Sequence, residues 1–141
     1  VAFFLRPINT GILTAMPESD HHRTPTVSEA VRDASALVDP GDADSAITAL
    51  YEIYEDDDRP VTAVEDLAGT LVATAEGIDP EGDDGAVLAA AAAAAWIGMH
   101  PRDRNEDHEA DHVIREGVRA AFGKEAPRQV RDYLSSRGIR D

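Results

Sequence analysis

The sequence predicts an all-α, single-domain bundle of about six short helices around a buried alanine-rich central helix. Three observations predict it. Residues 86–99 read Ala-Val-Leu, seven consecutive alanines and Trp-Ile-Gly-Met, and a helix that is apolar around its whole circumference is buried. On both sides of that run, apolar residues recur at three- and four-residue intervals between capping and breaking residues. No alternating strand pattern survives past Ala15. The central run is shorter than the roughly 20 apolar residues that cross a bilayer, and Asp83-Asp84 and His100-Pro101 flank it. It is therefore expected to be the core of a bundle with no membrane partner.

Residues 1–25 are expected to be a leader and 26–141 the helical domain. Val1 to Ala15 opens Val-Ala-Phe-Phe-Leu and breaks at Arg6-Pro7. The apolar stretch is too short for the core of a signal peptide and no basic residue precedes it. Met16-Pro-Glu-Ser-Asp has the look of an ordinary start, with the preceding residues as an upstream extension. If ordered, they would form a short strand or an apolar strap. Residues 17–25, with two prolines, His21 and His22, read as a loose polar link.

Thr26 and Glu29 have capping-box spacing, and Val27, Ala30, Val31, Ala34, Leu37 and Val38 continue a first helix until Asp39-Pro40-Gly41. Asp44 caps a second, with Ile47, Leu50, Tyr51 and Tyr54 on one face and Asp56 to Asp58 with Pro60 as its stop. Three acids at a helix C-terminus oppose its dipole, which points to a nearby cation or a solvated loop. Thr62 and Glu65 repeat the capping box, Val64 to Ala75 give an amphipathic third helix, and Gly77-Ile78 is the expected left-handed terminator. After the alanine helix, Asn105 is expected to open a fifth with the stripe Ala110, Val113, Ile114, Gly117, Val118, Ala121 and Phe122, closed by Gly123. Pro127 suits the first turn of a sixth, in which Val130, Tyr133 and Leu134 pack before Gly138-Ile139. No internal repeat of convincing period stands out.

A chain of 141 residues fits one domain without covalent staples, and the absence of cysteine excludes disulfides, thiolate nucleophiles and cysteine zinc sites. The net charge of −15, carried largely by Asp and balanced by arginines and a single lysine, matches a salt-rich cytoplasm or a high-GC genome. Residues 1–112 carry −18 and residues 113–141 carry +3. The basic tail is expected to lie against the chain's own Asp56-Asp57-Asp58 rather than bind an outside anion.

His108-Glu109-Ala110-Asp111-His112 satisfies His-Glu-x-x-His, which on a helix sets two imidazoles one turn apart to share zinc, with a glutamate as general base. At about 100° per residue, however, His108 and His112 fall opposite the apolar stripe and face water. Glu116 adds a third donor along the same exposed face, so a surface chelate or a plain charged face is expected, with a zinc-dependent hydrolase as the alternative. Glu109 and His112 also form half of a di-iron bundle motif, but the only other Glu-x-x-His, Glu18 to His21, lies in the leader. His22 and His100 read as polar loop residues.

The last two helices, joined by Gly123-Lys-Glu-Ala, have helix-turn-helix spacing, with Arg128 and Arg131 on the outer face of the final helix and Arg137 and Arg140 beyond, so a DNA-binding regulator that meets nucleic acid through this helix is an alternative reading. Asp132 interrupts that face, and a body of this charge repels phosphate. Phosphate-loop, dinucleotide and nucleophile-elbow strings are absent. Tyr51, Tyr54 and Trp96 sit where aromatics pack. The expectation is a cytoplasmic, non-enzymatic interaction or regulatory module with a protein partner or a second copy of itself. Apolar surface from an amphipathic helix or Phe3-Phe4-Leu5 would complete a groove. No catalytic, cofactor-binding or metal residue is assigned.

Overall fold

The computed structural model describes residues 24–100 and 110–139, and these form a helical bundle. Its elements are α1 (Val27–Val38), α2 (Ser45–Tyr54), a 3-10 turn (Val61–Ala63), α3 (Leu67–Ile78), α4 (Gly85–Met99), α5 (Ala110–Phe122) and α6 (Arg128–Ser136). Residues 1–23 of the expected leader, Asn105, His108, Glu109 and Arg140 lie outside the described residues.

Helix α4 is the hub. Every residue from Val87 to Gly98 is buried, and α1, α2, α3, α5, α6 and the 3-10 turn all pack on it. Alanine permits this, because it has the highest helix propensity and lets neighbouring backbones approach closely. The closest approaches involve glycine. A Cβ on Gly117 would stand 2.8 Å from the Ala92 carbonyl oxygen and 2.8 Å from the Ala93 Cα, and one on Gly85 would collide with the Gln129 carbonyl. Around the hub, Val31, Leu50, Leu71, Ile114 and Val130 are fully buried on the inward faces of α1, α2, α3, α5 and α6.

The helix termini follow local chemistry with two exceptions. The Thr26 hydroxyl accepts from Glu29 N at 3.1 Å while the Glu29 carboxylate accepts from Thr26 N at 2.9 Å, completing the capping box of α1. Gly123 and Gly138 end α5 and α6 at positive φ, as their positions imply. The expected box of Thr62 and Glu65 does not form. Val61 is buried and its N–H donates to the Pro25 carbonyl at 3.0 Å, so this stretch pairs with the chain before α1, and Thr26 and Pro60 form an antiparallel bridge. The cap of α3 passes to Asp66, whose backbone is left-handed (φ 53°) and whose carboxylate accepts from Gly69 N at 3.1 Å. Gly77 is no terminator either. α3 continues through it to Ile78, with Asp79 as the C-cap.

One regularity escapes the sequence reading. The loop from Asp39 to Asp44 and the loop from Asp79 to Asp84, forty positions on, are built alike. In each, the first aspartate's carboxylate accepts from the two backbone N–H groups that precede the next helix: Ala43 and Asp44 at 3.0 and 2.8 Å, Asp83 and Asp84 at 3.2 and 2.7 Å. The last aspartate then caps that helix, Asp44 on Ala46 and Ile47, Asp84 on Ala86. α1–α2 and α3–α4 are thus two hairpins closed by the same Asp-Pro device.

Candidate functional site

Where α4 ends, the bundle leaves a cleft of about 440 Å³. Val61, Val64 and Leu67 form one wall, Ala92, Ala95 and Trp96 of α4 the floor, and Gly117, Ala120 and Ala121 of α5 the other wall. Small residues on both helices leave the volume unfilled. Met99, 61% exposed, stands on the rim. Polar groups enter only at the margin, through Thr62, Asp66 and His100.

Trp96 is buried and meets two imidazoles. The His100 ring stacks on it with centroids 4.5 Å apart and 19° between planes, and His100 Nδ1 lies 3.0 Å from the Trp96 carbonyl oxygen. A carbonyl can only accept, so Nδ1 carries the proton. His112 of α5 meets the same indole edge-on at 5.9 Å. His112 is therefore half-buried against Trp96 instead of facing water, because the large indole reaches beyond the stripe on which the helical-wheel expectation was centred. His100, expected as a loop residue, is the C-cap of α4 and part of this aromatic stack.

Glu116, the third donor of the expected chelate, is paired with Arg119 at 3.1 Å and Arg115 at 3.7 Å. Among the described residues no group of three or more His, Asp and Glu is gathered as a metal would require, and His108 and Glu109 lie outside them. On α6, Arg128 approaches Asp132 at 3.9 Å, both well exposed, and Arg131 is exposed.

Among the described residues, the basic end of the chain does not meet Asp56 to Asp58 in the way expected. Arg59 supplies the cation there, gripping Asp57 through Nε at 2.9 Å and Nη2 at 2.7 Å, and this pairing holds the Asp57 carboxyl below its ordinary value. Arg137 turns instead to the end of α1. Its guanidinium donates to the Leu37 and Val38 carbonyls at 3.3 and 3.1 Å and to the Tyr133 hydroxyl at 3.0 Å, and pairs with Asp111 at 3.4 Å. A cation on the last carbonyls of a helix complements its dipole. Burial raises the Tyr133 phenol above its ordinary value despite Arg137.

The cap aspartates of α2 and α4 also meet. Burial first, then a hydrogen bond and charge repulsion from Asp44, raise the Asp84 carboxyl to about 6. A carboxyl that is half-buried beside a second carboxylate holds its proton more tightly than a free one. Tyr54, expected to pack, does so, and its hydroxyl lies 2.6 Å from Thr74 Oγ1.

No helix among the described residues is long and apolar enough to cross a membrane. No family model, curated protein or solved structure matches the chain, so its chemistry has to be read from the cleft itself.

Proposed function

We propose that this protein is a non-enzymatic interaction module whose cleft beside Trp96 receives apolar side chains from a protein partner. The observation that carries this reading is the cleft: a concavity of about 440 Å³ walled almost wholly by apolar side chains, with Met99 exposed at its mouth. Concave apolar surface with a polar margin suits side-chain docking, and a flexible thioether at the rim adapts to different shapes. Trp96, which meets His100 and His112, offers a buried aromatic floor that loses little freedom on binding. The acid-rich body keeps the module dispersed and favours partners whose flanks are basic.

A photoreactive residue in place of Met99, introduced in the source cell, tests this. The control position is Gly41, an exposed loop residue whose added Cβ would meet nothing within 4 Å. A single outside protein joined at 99, absent at 41 and lost when Ala121→Arg fills the cleft, supports the reading. Equal labelling at both positions, or none at 99, overturns it.

A further inference from the structure

We propose that the cleft beside Trp96 is also the docking site of the chain's own N-terminal segment, with Phe3, Phe4 and Leu5 as the inserted residues. This rests on reading the cleft as a side-chain receptor and adds its regulation: the segment competes with the partner for one site.

The path of the backbone carries the argument. Val27 N donates to the Arg59 carbonyl at 2.9 Å, Thr26 and Pro60 form an antiparallel bridge, and Val61 N donates to the Pro25 carbonyl at 3.0 Å. The pairing ends at Val61, where the 3-10 turn begins, so Pro25 is bonded to a residue that itself lines the cleft. The described chain thus begins within two residues of the cleft's lining, at Thr24. Twenty residues separate Phe4 from Thr24, a reach of about 65 Å at full extension. Length therefore sets no obstacle.

Composition selects the occupant. Residues 1–15 contain Val1, Phe3, Phe4, Leu5, Ile8, Ile12 and Leu13 and no acid, in a chain that has 28 acids. Their single charge, Arg6, follows the Phe-Phe-Leu run directly, and the cleft's margin offers Asp66. Insertion of the phenylalanines would thus bring a cation to a carboxylate at the rim. Two of the three phenylalanines of the whole chain lie in this run. A tethered ligand faces its site at an effective concentration of the order of millimolar, so modest affinity is enough for occupancy.

The test uses the purified full chain alone, with a photoreactive residue at position 99 and mass mapping of the adducts. The expected adducts join residue 99 to residues 1–15 of the same chain, and remain isotopically unmixed when heavy and light chains are combined. Replacing both Phe3 and Phe4 by Ser should lower the yield at least about tenfold, given the apolar area lost. A chain that starts at Met16 should give no such adduct until a peptide of residues 1–15 is added. Adducts that map elsewhere, or that survive the double substitution, overturn the proposal. Isotopically mixed adducts overturn it in favour of a second copy as occupant. A purified chain without these adducts that still captures an outside protein defeats this inference alone. Self-adducts without an outside protein defeat the partner reading alone.

Discussion

At the Gly85 end of α4 a neighbouring backbone lies where a side chain would otherwise be, whereas at the Met99 end the same helix borders a cleft of about 440 Å³. Small residues line α4 toward both ends, Gly85 and Ala86 at one and Ala92, Ala95 and Gly98 toward the other. At Gly85 and Gly117 the absence of a Cβ lets another chain segment close the gap, so smallness becomes contact. At Ala95, Ala120 and Ala121 the facing residues are small on both sides and the gap stays open, so smallness becomes volume. The contrast teaches that an alanine-rich helix fixes how near neighbours can come, while the larger partners, here Val61, Leu67 and Trp96, decide what remains open.

The largest effects should come from breaking the tight glycine contacts. Gly85→Ala places a methyl on the Gln129 backbone, and thermal or urea unfolding should show a loss of about 3 kcal/mol, the upper range of overpacking. Gly117→Ala meets the backbone of Ala92 and Ala93 at 2.8 Å and should cost about 2 kcal/mol by the same assay. A smaller cost than that of an ordinary surface substitution would show that α5 can move outward.

Next comes the charge at the tight end. Asp84 has its folded-state carboxyl raised from 3.8 to about 6, so the fold binds the proton more tightly than the unfolded chain does. Its stabilising contribution is therefore fully present below about 4 and is lost as pH rises through about 6. Asp84→Asn keeps a good N-cap and removes the repulsion. With solvent screening of this half-exposed group it should add about 1 kcal/mol at pH 7.5 and almost nothing at pH 4, measured by denaturation at both. Equal effects at the two pH values would remove the ionisation of Asp84 as the cause. The smallest effect belongs to the open end: Met99→Ser should change stability by less than about 0.5 kcal/mol while weakening capture of apolar partners. A substantial stability loss there would mean that Met99 is a packing residue.

The bundle, its hub and most helix bounds were legible because their signals are local. Thr26-x-x-Glu29, Asp44 and Gly123 act within one turn of where they stand. Thr62-x-x-Glu65 carries the same local signal and fails, since burial of Val61 and its bond to Pro25, 36 positions away, hold that stretch in another conformation. The cap then falls to Asp66 at the cost of a left-handed backbone, which Asp tolerates better than most residues. The repeated Asp-Pro loop could have been read: Val38-Asp39-Pro40 and Ile78-Asp79-Pro80 stand forty apart, each followed by an aspartate and alanine at matching positions. The helices around it hide it, because one hairpin ends in an amphipathic helix and the other in the alanine run.

The cleft was not legible. It arises from residues on three helices and a turn that are distant in sequence, and it is a deficit of side-chain volume, for which no motif exists. His112 shows the same limit: its place on a helical wheel was sound, but its surroundings depend on an indole 16 positions earlier on another helix.

The alanine run has one more consequence, for temperature. An alanine side chain has no rotamers to freeze, so ordering the hub costs backbone entropy alone. It also withdraws little apolar area from water, and the heat-capacity change of unfolding grows with that area. A core centred on seven alanines, in a chain with 5% aromatic residues, should therefore unfold with a heat-capacity increment below the usual ~12–15 cal/mol/K per residue. Its stability curve is correspondingly broad and flat, and the fold holds a nearly constant margin from cold to warm conditions.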